Sequence, residues 1–121
     1  MKEASSMKVY IISFNPLMLP VYELLNYLDT RTEVLNWYSP FAGTVLIVSN
    51  HNQTFLSNII SMQFPLQHFL ITEATIYNTD GRLLNQAWEF IRTPKSSGRW
   101  DNDVNYKGFE GLLGYDDSPK K

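Results

Sequence analysis

An α+β fold, with helices laid on an antiparallel sheet, is what this 121-residue chain predicts. Three observations carry that expectation. Four segments are rich in β-branched and aromatic residues. Two others repeat their apolar residues at helical spacing. The six follow one another as β-α-β-β-α-β with short connections, as compact domains prefer.

Lys8–Phe14 (KVYIISF) reads as the first strand, and Asn15-Pro16 breaks it because proline restricts its predecessor and lacks a donor. Leu17, Val21, Leu24, Leu25 and Leu28 then form one helical stripe with Pro20 in the first turn, and Asp29–Thr32 ends it. Val34–Ser39 and Thr44–Ser49 are strands joined by the turn Pro40-Phe41-Ala42-Gly43. Asn52 caps a second helix through about Met62, with Phe55, Leu56, Ile59 and Ile60 as its buried face and Pro65 as its stop. His68–Asn78 is the fourth strand, Thr79–Arg82 turns the chain, and Gln86–Ile91 is open between a short helix and a fifth strand. Two helices on one face of four strands in this order is the ferredoxin-like arrangement.

The expected organisation is a disordered start at residues 1–7, a ferredoxin-like domain at 8–91, and a C-terminal tail at 92–121 that is mobile or ordered by a partner. Composition agrees with one domain: 44% of residues are hydrophobic and 14% aromatic, enough for a core. The net charge of −2 supplies no broad basic field for nucleic acid. There is no cysteine, so thiolate metal sites and cysteine nucleophiles are excluded. No apolar run is long enough to span a bilayer and the start is unlike a signal peptide, so a cytoplasmic protein is expected.

Charge is distributed unevenly. From Val34 to Thr72 there is no Asp, Glu, Lys or Arg, whereas 11 of the 30 residues from Arg92 to Lys121 are charged. Both faces of the first and third strands are apolar. Such a sheet, with helices on one side, needs a cover on the other: a second copy stacked sheet to sheet, another protein, or the chain's own end. Trp37, Tyr38 and Phe41 are candidate binding residues, able to stack bases or to pack in a core or dimer. Trp100, Tyr106 and Phe109 are candidate docking anchors in the tail, where Arg92, Lys95 and Arg99 make the only local positive cluster. His51 and His68 have no acidic neighbour at ligand spacing, and no phosphate-loop, zinc-protease or nucleophile-elbow motif is present.

Tyr10–Asn15, Trp37-Tyr38, Gly43–Val48, Asn52-Gln53 and Phe69–Glu73 together resemble the small Cas2-like proteins, in particular those called SinR-like, over Lys8–Phe90. The resemblance implies a ferredoxin-like protomer, often dimeric, related to CRISPR adaptation proteins and toxin-like ribonucleases. In that family an aspartate closing the first strand is the metal ligand. Here the matching residue is Asn15, an amide that holds Mg²⁺ poorly, and Met18 and Leu19 follow where polar groups would grip phosphate. The resulting expectation is a non-enzymatic dimer acting through protein–protein contacts, in a nucleic-acid-processing or defence system, with no cofactor and no catalytic residue. The alternatives are a nuclease of the Cas2/VapD-like type, using Mg²⁺ with Glu73 and Asp80, and a small-ligand-sensing domain.

Overall fold

A computed structural model describes residues 7–100. Over these residues the chain is α+β, a four-stranded antiparallel sheet with three helices: β1 (Lys8–Phe14), α1 (Val21–Leu28), β2 (Asn36–Phe41), β3 (Thr44–Ser49), α2 (Gln53–Gln63), β4 (Phe69–Ala74) and α3 (Asn85–Arg92). The strand order is β2-β3-β1-β4. β1 runs antiparallel to both its neighbours, with Tyr10 opposite Ile47 on one side and Glu73 on the other.

The alternation of β1 builds two cores. Tyr10, Ile12 and Phe14 face α1 and α2, joined by Val45 and Ile47 of β3, Leu24 and Leu28 of α1, and Leu56 and Ile60 of α2. Val9, with Leu46, Val48 and Ala74, faces the other way and is covered by Ile91 of α3, flanked by Trp88 and Phe90. The second face of the sheet is therefore covered from within the chain, at the Val9–Val48 end. The segment left open between helix and strand is a helix, because Ala87 and Ile91 lie four residues apart and both are buried, Ile91 in this core. Met7, assigned to a disordered start, packs against the same cluster.

Several boundaries differ from expectation for local reasons. Leu17 is 90% exposed and outside α1; Leu19, at 3%, takes its place in the core. Proline at position 20 disfavours helical backbone at Leu19, so the helix begins only at Val21, with Pro20 as its N-cap. The preceding turn is held by Asn15, whose Oδ1 accepts the Leu17 N–H at 2.9 Å and whose carbonyl accepts from Leu19 at 2.9 Å. β2 extends through Pro40 to Phe41, a proline tolerated because this strand is at the sheet edge, with an irregularity between Tyr38 and Phe41. The turn shrinks to Ala42-Gly43. Gly43 has φ +84°, and a Cβ there would lie 3.0 Å from the Phe14 carbonyl oxygen, so only glycine fits. β4 stops at Ala74, four residues early. Thr75 and Asn78 close a turn on themselves, the Thr75 N–H donating to Asn78 Oδ1 at 2.7 Å, which overrides the strand propensity of Thr75-Ile76-Tyr77. α2 is capped as expected, Asn52 Oδ1 accepting the Phe55 N–H at 2.9 Å.

Candidate functional site

The aromatic residues of β2 do not form one platform. Consecutive strand residues point to opposite faces, so Trp37 and Tyr38 part company. Trp37 sits on the α1/α2 side, where its indole Nε1 donates to Asp29 Oδ1 at 2.7 Å. Tyr38 sits on the α3 side, its ring 5.9 Å from that of Phe90. Phe41 remains 56% exposed beside the hairpin turn. A base-stacking surface built from Trp37 and Tyr38 together is excluded by this geometry, and each ring is engaged in packing.

Trp100 is half-buried beside the start of β2. Its Nε1 donates to the Val34 carbonyl at 3.2 Å, and Arg99 Nη2 donates to the same oxygen at 2.8 Å. The Arg99 guanidinium lies over the Trp100 ring at 5.3 Å and pairs with Asp29 at 3.1 Å. Ser97 N–H donates to the Leu35 carbonyl at 2.8 Å, and Asn36 Nδ2 to the Lys95 carbonyl at 3.1 Å. Residues 95–100 thus form a strap along the approach to β2. Two members of the expected positive cluster are spent locally: Arg99 on Asp29 and Val34, and Arg92 on Glu89. The sequence singled out Trp100 but not where it docks, because the bonds span 59 to 70 residues and mostly use backbone carbonyls. Tyr106 and Phe109 lie outside the described residues, as does the rest of the tail from 101.

The acidic residues are dispersed. Glu73 on β4 stands opposite Tyr10 and 4.0 Å from Lys8. Burial, helped by the Glu73 charge, raises the Tyr10 phenol above its ordinary value, and that phenol donates to the His51 carbonyl at 2.7 Å. Asp80 lies beyond the strand in the loop facing Trp88 and Arg92, its Oδ1 accepting the Gly81 N–H at 2.8 Å. Among the described residues no group of three or more His, Asp or Glu side chains converges to hold a metal. His51 stacks on Phe55 at 4.2 Å, and His68 is exposed. Asn15, where the family resemblance implies a metal ligand, serves the turn described above.

What the fold does present is an uncharged, partly bare half-face. α3 covers the Val9–Val48 end of the second face only. Toward the other end, Ser13 pairs with Thr44 and Leu70, and Ile11 with Thr72. Ser13, Leu70 and Thr72 are exposed, Ile11 and Thr44 half-buried, and none is charged. Leu70 is 68% exposed, Phe41 lies at the rim beside Thr44, and Leu17 and Met18 are exposed in the turn that follows β1. These open apolar groups, with no charge among them, make the half-face neutral and partly apolar.

Compared with protein-family models, curated proteins and solved structures, the chain has no match in any of the three. Among the described residues no helix is long and apolar enough to cross a membrane.

Proposed function

We propose that the chain is a non-enzymatic dimeric scaffold of the Cas2-like kind, ferredoxin-like in fold, which works by holding a protein partner within a nucleic-acid-processing or defence system. The fold reading is supported by connectivity. β1 and β2, joined through α1, are separated by β3; β3 and β4, joined through α2, are separated by β1. Two interleaved split βαβ units have this pattern. The observation that carries the functional reading is the bare half-face of Ser13, Leu70 and Thr72, rimmed by Phe41 and without a charged group. A neutral sheet surface offers shape and apolar area, the currency of protein contacts, and lacks the cations that phosphate requires.

Light scattering on the full chain tests the assembly: a mass twice that of the protomer is expected at micromolar concentration, and a monomer throughout would defeat the dimer. Incubation with single- and double-stranded RNA and DNA, with Mg²⁺ or Mn²⁺, tests the absence of catalysis. Intact substrate is expected; cleavage that disappears in Glu73→Gln would establish an enzyme instead.

A further inference from the structure

The sheet ends in two edge strands, and among the described residues only one of them is defended. Along β2, Pro40 cannot donate, the register is irregular between Tyr38 and Phe41, and the Trp37 N–H is already held by Asn36 Oδ1 at 2.9 Å. The strap of residues 95–100 occupies the carbonyls of Val34 and Leu35. These are the devices by which natural sheets prevent edge-to-edge pairing. Along β4 none of them is present: Phe69–Ala74 has no proline, no lysine and no break in register, and its outer side meets no strand among the described residues. The strand backbone lies open along a cleft whose other wall is Gln53, Thr54, Ser57 and Asn58 of α2.

We infer that β4 pairs with β4 of a second copy, antiparallel about a two-fold axis, to make a continuous eight-stranded sheet. The inference rests on the dimer reading above and names its surface. Two features select a second copy as the occupant. First, a single open edge closes on itself: two copies joined at β4 leave only β2 edges outside, so assembly stops at two rather than running into a filament. Second, the charges are compatible with self-pairing. Centring the axis on Ile71 sets Leu70 of each copy opposite Thr72 of the other and Phe69 opposite Glu73, so the one charged residue of the strand never meets its own kind. From residue 62 to 72 there is no Asp, Glu, Lys or Arg, and Met62 (82% exposed), Leu66 (88%) and Leu70 are the large apolar groups beside this edge. Thr54, Asn58 and Met62 repeat every fourth residue along α2, so the two helices meet across the axis on an uncharged stripe. Pairing would also fuse the two bare half-faces, since Leu70 and Thr72 belong to both features, into one surface spanning the dimer.

Concentration-dependent amide exchange on the full chain, beside light scattering, tests this. In the dimer the Phe69–Ala74 amides are expected to slow by about tenfold or more relative to dilute samples, while those of Asn36–Phe41 stay unchanged. Leu70→Lys with Thr72→Lys, both at exposed positions, should return the chain to monomer with native circular dichroism; Tyr22→Lys, exposed on α1 and outside the β4 cleft, should leave the dimer intact. A dimer whose β4 amides do not respond to concentration would overturn the edge pairing and leave the dimer standing. Monomer at every concentration would overturn both. Protection of β4 in the monomer would mean that the chain's own remaining residues cover the edge, which also overturns the pairing.

Discussion

The two outer strands of the sheet are six residues each, and they meet solvent differently. β2 is held on every side: its indole and tyrosine rings are packed, its proline and irregular register spoil its outer side, and the strap crosses its entry. β4 is regular, neutral over most of its length, and joined to the rest of the sheet only through β1. Both come from nearly charge-free sequence, so composition does not separate them. What separates them is where the rest of the chain goes after the sheet is made. Among the described residues, α3 and residues 95–100 return across the second face and the β2 side and leave the outer edge of β4 uncovered.

The largest expected effect comes from removing the helix that completes the second face. Ile91→Ala leaves a cavity against Val9, Leu46 and Val48 and should lower the unfolding free energy by about 2–5 kcal/mol, read from urea midpoints. A loss below about 1 kcal/mol would mean that α3 is an ornament on the sheet and that the contrast between covered and bare halves is unsound.

A smaller effect should follow from Arg99→Ala, which removes the Asp29 pair and one of the two donors on the Val34 carbonyl. About 1 kcal/mol is expected, mostly from the hydrogen bond to Val34, because the Asp29 carboxylate is half-exposed and its pairing is screened. The sharper readout is exchange at the Ser97 amide, which should speed up while β4 amides do not change. Faster exchange at both edges would show that the two are coupled and not independently built.

The smallest effect concerns the loop leading into β2. Arg31 grips Glu33 with two hydrogen bonds of 3.0 Å. Burial pushes the Glu33 carboxyl upward, but its own backbone N–H and the Arg31 guanidinium outweigh that and hold it below its ordinary value of 4.5. A carboxyl with a depressed folded-state pKa stabilises the fold above its unfolded value and loses that contribution as pH falls through the folded one. Urea midpoints of the wild type should therefore drop more steeply below about pH 4.5 than those of Glu33→Gln, with the two curves parallel near neutrality. Parallel curves through the acid range would remove Glu33 from the account of the defended edge.

Much of this fold was legible because it is written in local pattern. KVYIISF and TVLIVS are strands on propensity alone, and Asn52 announces α2 by the capping chemistry it goes on to perform. The apolar character of both sheet faces was also legible, and with it the need for a second cover. Other features depended on competition that composition does not display. Pro20 outweighs the helical spacing of Leu17, and the Thr75–Asn78 turn outweighs three strand-forming residues. The candidate site was read less well. Trp37 and Tyr38 invite a shared role as neighbours in sequence, yet strand alternation alone sends them to opposite faces. The strap's acceptors were invisible, though Trp100 stood out, because backbone carbonyls have no residue code. The bare edge was equally hidden, since which strand lies outermost follows from the order of the whole sheet.

The position of α3 in the chain has a consequence for synthesis. A ribosome that has released the polypeptide through Ala74 has supplied all four strands and both helices of the first core, but not the lid over Val9, Leu46 and Val48. Until Ile91 emerges, the nascent sheet shows water a greasy side. During that interval the chain is most exposed to misassembly and most in need of a chaperone's attention.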